Sequence, residues 1–367
     1  MRIALLAGAH SVHTVRWANG LASDGHEVHL ISAHRLTGAL DGGVAFHSLP
    51  IGAPWGYLAA AGSLRNLLRC IQPDILNAHY ATGYGLLARL SRFQPLLLSM
   101  WGSDVYDFPE KSTFHRRLLA SNLRQASALG STSRCMARRA AETWPHPHIF
   151  VTPFGVDERV FLPSSRSAES GCLVIGTVKA LKHKYGIDTL IEAFALALQQ
   201  LKPRALRLEI AGSGPEEKSL KALAVRLGVA EMVLFHGPVE HERVPALLDR
   251  LNIFVALSRL DSESFGVAIL EASAAGKAVV VSDADGPAEV TLNGSTGYVV
   301  PRNDPVAAAD AIVRLARSPD LRERMGAADR QHVLTHYTWS RSLALMCEAY
   351  RETIRIHRRA TATGESA

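Results

Sequence analysis

The stretch Glu263-Ser264-Phe265-Gly266-Val267-Ala268-Ile269-Leu270-Glu271-Ala272-Ser273-Ala274-Ala275-Gly276 decides the fold. Its two carboxylates stand eight positions apart, separated by a Ser-Phe-Gly turn and an apolar run of helical residues. Asn252–Leu257 before it and Ala278–Ser282 after it read as buried strands. The order strand, loop, helix, strand is that of a parallel sheet, with the loop at a strand's carboxyl end and a helix's amino end. Unpaired N–H groups at a helix start attract phosphate oxygens, and Gly266 lets a ligand approach the backbone. Glu263 precedes the helix and can reach a ligand in the loop. Glu271 lies on a segment almost free of charge, where a carboxylate is costly unless it accepts hydrogen bonds. Sugar hydroxyls would supply them; a solvated carboxylate on an exposed face is the alternative.

A length of 367 residues suits two domains, and 47% hydrophobic with 20% charged residues suits a globular α/β protein. Cys70, Cys135, Cys172 and Cys347 are far apart, which argues against a disulfide framework or a zinc site and fits a reducing cytosol. The apolar run Ile3–Ala9 is short for a signal peptide and reads as a first strand. No run approaches the ~20 apolar residues of a membrane span.

Arg2–Ala7, Val12–Ser23 and His26–Ser32 read as strand, helix and strand. The turn between the first two, Gly8-Ala9-His10-Ser11-Val12-His13, is not Gly-x-Gly-x-x-Gly, which counts against a nicotinamide or flavin enzyme. Further strands are expected at Val44–Leu49, Ile75–His79, Leu96–Met100 and Ile149–Thr152, with helices at Tyr57–Cys70, Tyr84–Arg92, Thr113–Gln125 and Ser133–Glu142. His79 and Trp101-Gly102-Ser103-Asp104 fall at strand carboxyl ends, where open α/β sheets bind ligands. His79 equally suits a hydrogen-bonded core histidine, and Asp104 equally suits a turn cap. The polar stretch Pro163–Gly171 reads as a linker.

The pattern then restarts. Strand Leu173–Val178 leads into the basic loop Lys179-Ala180-Leu181-Lys182-His183-Lys184-Tyr185-Gly186 and the helix Asp188–Leu201, with Asp188 as a candidate cap. A cationic loop after a strand suits a diphosphate; an ordinary solvated turn is the alternative. Strand Arg207–Ala211 runs into Gly212-Ser213-Gly214-Pro215, with Pro215 expected in the first turn of a helix. Strands at Met232–Phe235 and Gly297–Val300 and helices at Asp304–Arg317, Leu321–Thr335 and Ser340–Arg358 complete the chain, and the tail Thr361–Ala367 is expected to fray.

The Glu263–Glu271 stretch, in its Ser-Phe-Gly context, resembles the Glu-x7-Glu motif of the retaining glycosyltransferases of family 4. Gly25–Val28, Pro153–Asp157, Gly286–Glu289 and Tyr337–Trp339 resemble further segments of that family, so the resemblance covers nearly the whole chain. It implies an α/β protein of the GT-B fold: two Rossmann-like domains facing a cleft, with a C-terminal helix crossing back to the first. The expected division is 1–163, completed by helix 340–360, and 164–339. The family implies that Glu263 contacts the donor sugar and that Lys179 and Lys184 meet its diphosphate, with Lys182 a rival to Lys184. Glu271 would hold the ribose; Ser264, Phe265, Gly266, Gly212, Gly214 and His236 would line the donor site. Acceptor-side candidates are Gly8, His13, His79, Trp101 and Asp104. Many relatives carry His-Gly-Ser-Asp where this chain has Trp101, so the role of that histidine is not carried over.

The implied activity is metal-independent transfer of a sugar, with retention, from a nucleotide-diphosphate sugar to a glycan or lipid-linked acceptor in cell-surface polysaccharide or glycolipid synthesis. No cofactor, metal or nucleic-acid partner is implied, and Asp283-Ala284-Asp285 is not read as a metal motif. A nucleotide-sugar epimerase on the same fold and a catalytically silent binding subunit are the rivals. Arg89–Arg139 carries nine basic residues against three acidic ones, an excess equal to the +6 of the whole chain. With Leu118, Leu119 and Leu123 beside Arg116, Arg117 and Arg124, it suggests reversible docking of a cytoplasmic protein on the anionic inner face of the plasma membrane. A solvated basic face is the alternative.

Overall fold

The computed structural model describes residues 1–163, 171–202 and 205–363. The chain divides into two compact units, Met1–Pro153 with Ser342–Ala367, and Phe154–Arg341. In the first unit, β1 (Arg2–Leu6), β2 (Glu27–Ser32), β3 (Val44–Ser48), β4 (Ile75–His79), β5 (Leu96–Met100), β6 (Ala128–Ser131) and β7 (Ile149–Val151) form one sheet in the order β3-β2-β1-β4-β5-β6-β7. In the second, β8 (Cys172–Val178), β9 (Ala205–Ala211), β10 (Val233–Gly237), β11 (Ile253–Ala256), β12 (Ala278–Ser282) and β13 (Gly297–Val300) form another in the order β10-β9-β8-β11-β12-β13. Every strand pairing between neighbours is parallel.

Helices cover both faces, which is why the central strands read as unbroken apolar runs. Ile253, Phe254 and Val255 in β11 and Val279, Val280 and Val281 in β12 are fully buried. Each sheet reverses its strand order once, between β1 and β4 and between β8 and β11. Loops leave the carboxyl ends on opposite sides of such a point and open a crevice there. Gly8 and Tyr80 follow the reversal in the first sheet, and Lys179 and Leu257 follow it in the second.

Several expectations are corrected. β6 was not anticipated; its Ala-Leu-Gly-Ser run is short and small, yet wholly buried. The helix expected over Tyr57–Cys70 is broken at Ala60 into Gly56–Ala59 and Ala61–Ile71. Asp188 is not the cap of its helix, which starts at Ile187 behind a left-handed Gly186; its carboxylate meets Arg259 at 2.7 Å instead. Pro215 lies two residues ahead of the helix Glu217–Arg226, in the turn that leads to it. Leu119 and Leu123 are fully buried, so the basic helix Thr113–Gln125 turns these leucines into the core, away from its surface.

The linker expected at Pro163–Gly171 lies largely outside the described residues, as does the part of the Thr361–Ala367 tail beyond Thr363. The division between units falls earlier, after Pro153. Residues just beyond it pack within the second unit: Val156 bridges Thr338, Phe154 meets the Phe265 ring edge-on, and the Phe161 carbonyl accepts from Arg330 at 3.1 Å. The helix Trp339–Thr363 joins the first unit from Ser342 onward. There the Tyr350 hydroxyl donates to Asn77 of β4 at 2.9 Å.

The helix Val267–Ala274 packs against Pro319–His336, which carries the buried Asp329. Burial beside the Ser273 and Thr296 hydroxyls pushes the Asp329 carboxyl up to about 7. The folded chain therefore keeps a proton that the unfolded chain has lost. Stability from this group is full below about pH 4 and falls as pH rises toward about 7. Urea midpoints measured across that range are expected to fall less with pH for Asp329→Asn than for the wild type. Parallel pH profiles would contradict the assignment.

Candidate functional site

β8 and β11 deliver the second unit's loops to one point. The Lys179 ammonium donates to the Glu263 carboxylate, and the two side chains are 10% and 11% exposed. A pair this enclosed is not a loose surface contact. Lys179 also lies over the Tyr185 ring at 5.1 Å, and Lys184 over the same ring at 4.9 Å. Lys182 is exposed. The structure thus gathers Lys179 and Lys184 at one aromatic ring and leaves Lys182 exposed.

The lysine loop is held from both sides. Lys179 N–H bonds the Ala211 carbonyl at 2.9 Å, and Leu181 N–H bonds Ser213 at 3.0 Å. Gly212 has φ +139°, and a Cβ there would stand 1.9 Å from the Lys179 carbonyl oxygen. Gly212 is thus required for that close approach. On the other side Arg259 reaches Asp188 at 2.7 Å and Asn303 at 2.6 Å, while its backbone N–H bonds the Lys184 carbonyl at 2.8 Å.

Ser264 and Phe265 are buried, with Phe265 set edge-on to Phe154 and Tyr337. Gly266, at φ +88°, starts the helix Val267–Ala274 with no side-chain cap on its first turn. Glu271, on that helix, is 5% exposed and takes a bond from His241 at 2.8 Å. His236 pairs with the buried Glu209 at 2.9 Å, and Arg250 completes that cluster at 2.7 Å. Tyr185, His241, Glu209 and Arg259 were missed in the sequence. The side chains of Glu209, His241 and Arg259 meet those of His236, Arg250, Glu271, Asp188 and Asn303, 27 to 71 residues away along the chain, so no local pattern announces them. Tyr185 stands beside its lysines with nothing in the spacing to mark it as their platform.

In the first unit a cavity of about 390 Å³ opens at the reversal between β1 and β4. Gly8, His79 and Trp101 line it. Trp101 lies 4.9 Å from the His79 ring, and His13 meets Trp101 edge-on at 6.1 Å. His79 is 2% exposed, and burial holds its pKa down at about 3, so the ring is neutral. The Asp104 carboxylate accepts from the N–H groups of Ala81 at 2.7 Å, Gly102 at 2.8 Å and Trp101 at 3.1 Å, all of which precede it in the chain.

Of the carboxylates considered for metal, Asp283 is held by Arg302 at 3.0 Å. Asp24, His26 and Cys347 each bring one potential ligand atom within 4.8 Å of the others, in the first unit and apart from either loop cluster. Among the described residues, no helix is long and apolar enough to cross a membrane.

Two family descriptions match this chain: glycosyl transferases group 1 over residues 163–332, and glycosyl transferase 4-like over residues 2–133. The GDP-mannose-dependent alpha-(1-6)-phosphatidylinositol monomannoside mannosyltransferase of Mycolicibacterium smegmatis is 31% identical over 280 residues, 72% of each chain. A D-inositol 3-phosphate glycosyltransferase of Streptomyces scabiei is 34% identical over 194 residues, 51% of this chain and 42% of its own. The match thus spans about two fifths of that relative's length. The Anabaena HepE structure, solved with UDP and glucose, superposes with a TM-score of 0.77 over 95% of this chain and 98% of its own, at 18% identity. That last likeness carries the fold alone.

Removing one partner of an enclosed ion pair strands the other charge. Lys179→Met is expected to cost about 3 kcal/mol of unfolding free energy. Adding Glu263→Gln should restore a large part of it. Urea unfolding of the two single variants and the double variant checks this; purely additive losses would show that the pair carries no coupling.

Proposed function

The chain belongs to the group 1, family-4-like glycosyl transferases of the GT-B fold, and on that footing we propose that it moves a sugar, with retention, from a nucleoside-diphosphate sugar to a glycan or lipid-linked acceptor. The observation that carries the donor reading is the Lys179–Glu263 pair beside Lys184 and the uncapped helix start at Gly266. Such a cluster offers cations and N–H groups to a diphosphate and a carboxylate to the sugar attached to it. In this reading the lysines stabilise the diphosphate as the glycosidic bond breaks, supplying positive charge without a metal. Glu263 orients the donor sugar, and Lys179 holds that carboxylate in place. Glu271 accepts from the ribose hydroxyls, which take the place of His241.

Two similar proteins support a nucleotide-sugar donor: HepE was solved with UDP and glucose, and the Mycolicibacterium smegmatis relative is GDP-mannose-dependent. The first-unit cavity is read as the acceptor side. Mass spectrometry of products formed from UDP- and GDP-sugars with glycan and lipid-linked acceptors tests the reading. A glycosylated acceptor with free nucleoside diphosphate is expected; an isomerised nucleotide sugar alone would replace transfer by epimerisation. Glu271→Ala should weaken UDP or GDP binding by about 1.5–3 kcal/mol in calorimetry. Unchanged affinity in a folded variant would remove Glu271 from the nucleotide site.

Docking of the first unit on an anionic membrane surface belongs to the same proposal. Arg116, Arg117 and Arg124 are exposed, and Phe114, on the same helix, is 68% exposed. Arg116 already bonds Glu110 at 3.2 Å, which reduces its free charge. Basic residues near an anionic surface contribute about 1 kcal/mol each. Co-sedimentation with anionic vesicles at low salt is expected, with loss at high salt, on neutral vesicles, and in Arg116→Glu/Arg117→Glu/Arg124→Glu. Binding indifferent to lipid charge would contradict electrostatic docking.

A further inference from the structure

Among the described residues, two buried polar atoms in the wall of the first-unit cavity have no hydrogen-bond partner. Thr14, 1% exposed, lines it with no partner for its hydroxyl. His79, 2% exposed, lines it with no partner for Nδ1. Buried polar atoms are nearly always satisfied, so an orphan in a cavity wall points to a ligand.

The chemistry of the His79 orphan can be derived. The Asn77 amide nitrogen donates to the Leu97 carbonyl at 3.0 Å and to the Ser99 hydroxyl at 2.8 Å. A carbonyl only accepts, so the amide cannot be turned round, and its oxygen faces Tyr350 and His79. The Tyr350 hydroxyl donates to that oxygen at 2.9 Å. His79 Nε2 lies 2.9 Å from the same oxygen and must therefore carry the proton. In a neutral imidazole Nδ1 is then a bare acceptor. Burial keeps the ring neutral, so Nδ1 stays unprotonated near pH 7.

The rest of the wall agrees. Among the described residues, no lysine, arginine, aspartate or glutamate lines the cavity; it is built largely of aromatic and imidazole rings, among them Tyr57, Tyr80, Tyr84 and Trp101. The Tyr84 hydroxyl is already engaged by His34 at 2.7 Å and by the Ala33 N–H at 3.1 Å. The helix Val12–Ser23 begins at the wall, and its start favours negative charge only weakly without a cationic side chain. A carboxylate or ionised phosphate has no proton to give Nδ1 and would set one lone pair against another. A hydroxyl donates and accepts, which suits both orphans. The C–H face of a sugar or cyclitol ring suits the aromatic rings.

We propose that this cavity selects an uncharged polyhydroxylated ring, a sugar or cyclitol, by having a ring hydroxyl donate to His79 Nδ1, and that it discriminates against a ligand carrying phosphate or carboxylate at that position. The assignment rests on the reading of this unit as the acceptor side. It differs from the phosphorylated ring, inositol 3-phosphate, for which the Streptomyces relative is named. Asn77 and Tyr350 are positioning residues: they set which nitrogen bears the proton.

The test uses the full chain. Ligand-observed NMR titrations compare myo-inositol and methyl α-D-mannoside with myo-inositol 3-phosphate and malate, for wild type, His79→Phe and Thr14→Val. The neutral probes should bind wild type about tenfold or more tightly than the anionic ones. His79→Phe should weaken them by a similar factor, and Thr14→Val by less. UDP and GDP affinity, a property of the second unit, should be unchanged in both variants and reports that the chain is folded. Nitrogen-15 shifts of His79 in wild type should show Nε2 protonated and Nδ1 bare near pH 7. Anionic probes binding as tightly as neutral ones, neutral binding that ignores His79→Phe, no neutral binding at millimolar concentration, or a protonated Nδ1 would each overturn the proposal. Neutral binding with no sugar transfer to any acceptor would overturn the enzymatic reading and leave the cavity assignment standing. Transfer to a phosphorylated acceptor that binds tighter than its neutral parent would do the reverse.

Discussion

The second unit is arranged around a cation and an anion that neither solvent nor distance separates. Lys179 and Glu263 lie 84 residues apart and meet in an enclosed position because β8 and β11 are neighbours in the sheet. Taking both charges out of water is expensive, and the pair persists only because each side chain is delivered by a rigid element. β8 and its bonds to the Gly212 loop fix Lys179. β11 and the turn into the helix Val267–Ala274 fix Glu263. Arg259, Tyr185 and the Phe154–Phe265–Tyr337 ring cluster are best understood as what keeps these two loops from separating.

The first unit reaches a similar place by different chemistry. Its sheet reverses order at β1 and β4, and the loops there carry rings and hydroxyls instead of charges. The buried Asp104 carboxylate is spent on three backbone N–H groups, which joins the loop after β4 to the loop after β5 and shapes the wall carrying Trp101. The Tyr350–Asn77–His79 chain reaches from the C-terminal helix to the same cavity. That helix therefore does more than complete the core of its unit.

Much of this was legible in the chain. β11, the motif helix and β12 could be read because buried parallel strands are unbroken apolar runs and Glu271 is conspicuous among alanines. The helices Val12–Ser23 and Thr113–Gln125 match their patterns to the residue. β6 escaped because Gly130 and Ser131 lack the bulk that marks a strand, and burial there comes from tertiary packing. The choice between Lys184 and Lys182 could not be made from spacing, since only the folded loop, closed by a left-handed Gly186, shows Lys184 over Tyr185 and Lys182 exposed. The tautomer of His79 was out of reach altogether, because it depends on Asn77, Leu97 and Tyr350 meeting across two strands and a distant helix.

The central claim is that one loop cluster in the second unit holds a nucleoside diphosphate by its ribose and its phosphates together. A crystal structure of the full chain with bound UDP or GDP tests it most directly. The account predicts ribose hydroxyls within hydrogen-bond distance of the Glu271 carboxylate, with His241 displaced, and diphosphate oxygens on Lys179, Lys184 and the N–H groups after Gly266. A nucleotide bound elsewhere, or one whose ribose leaves the Glu271–His241 bond intact, would contradict it.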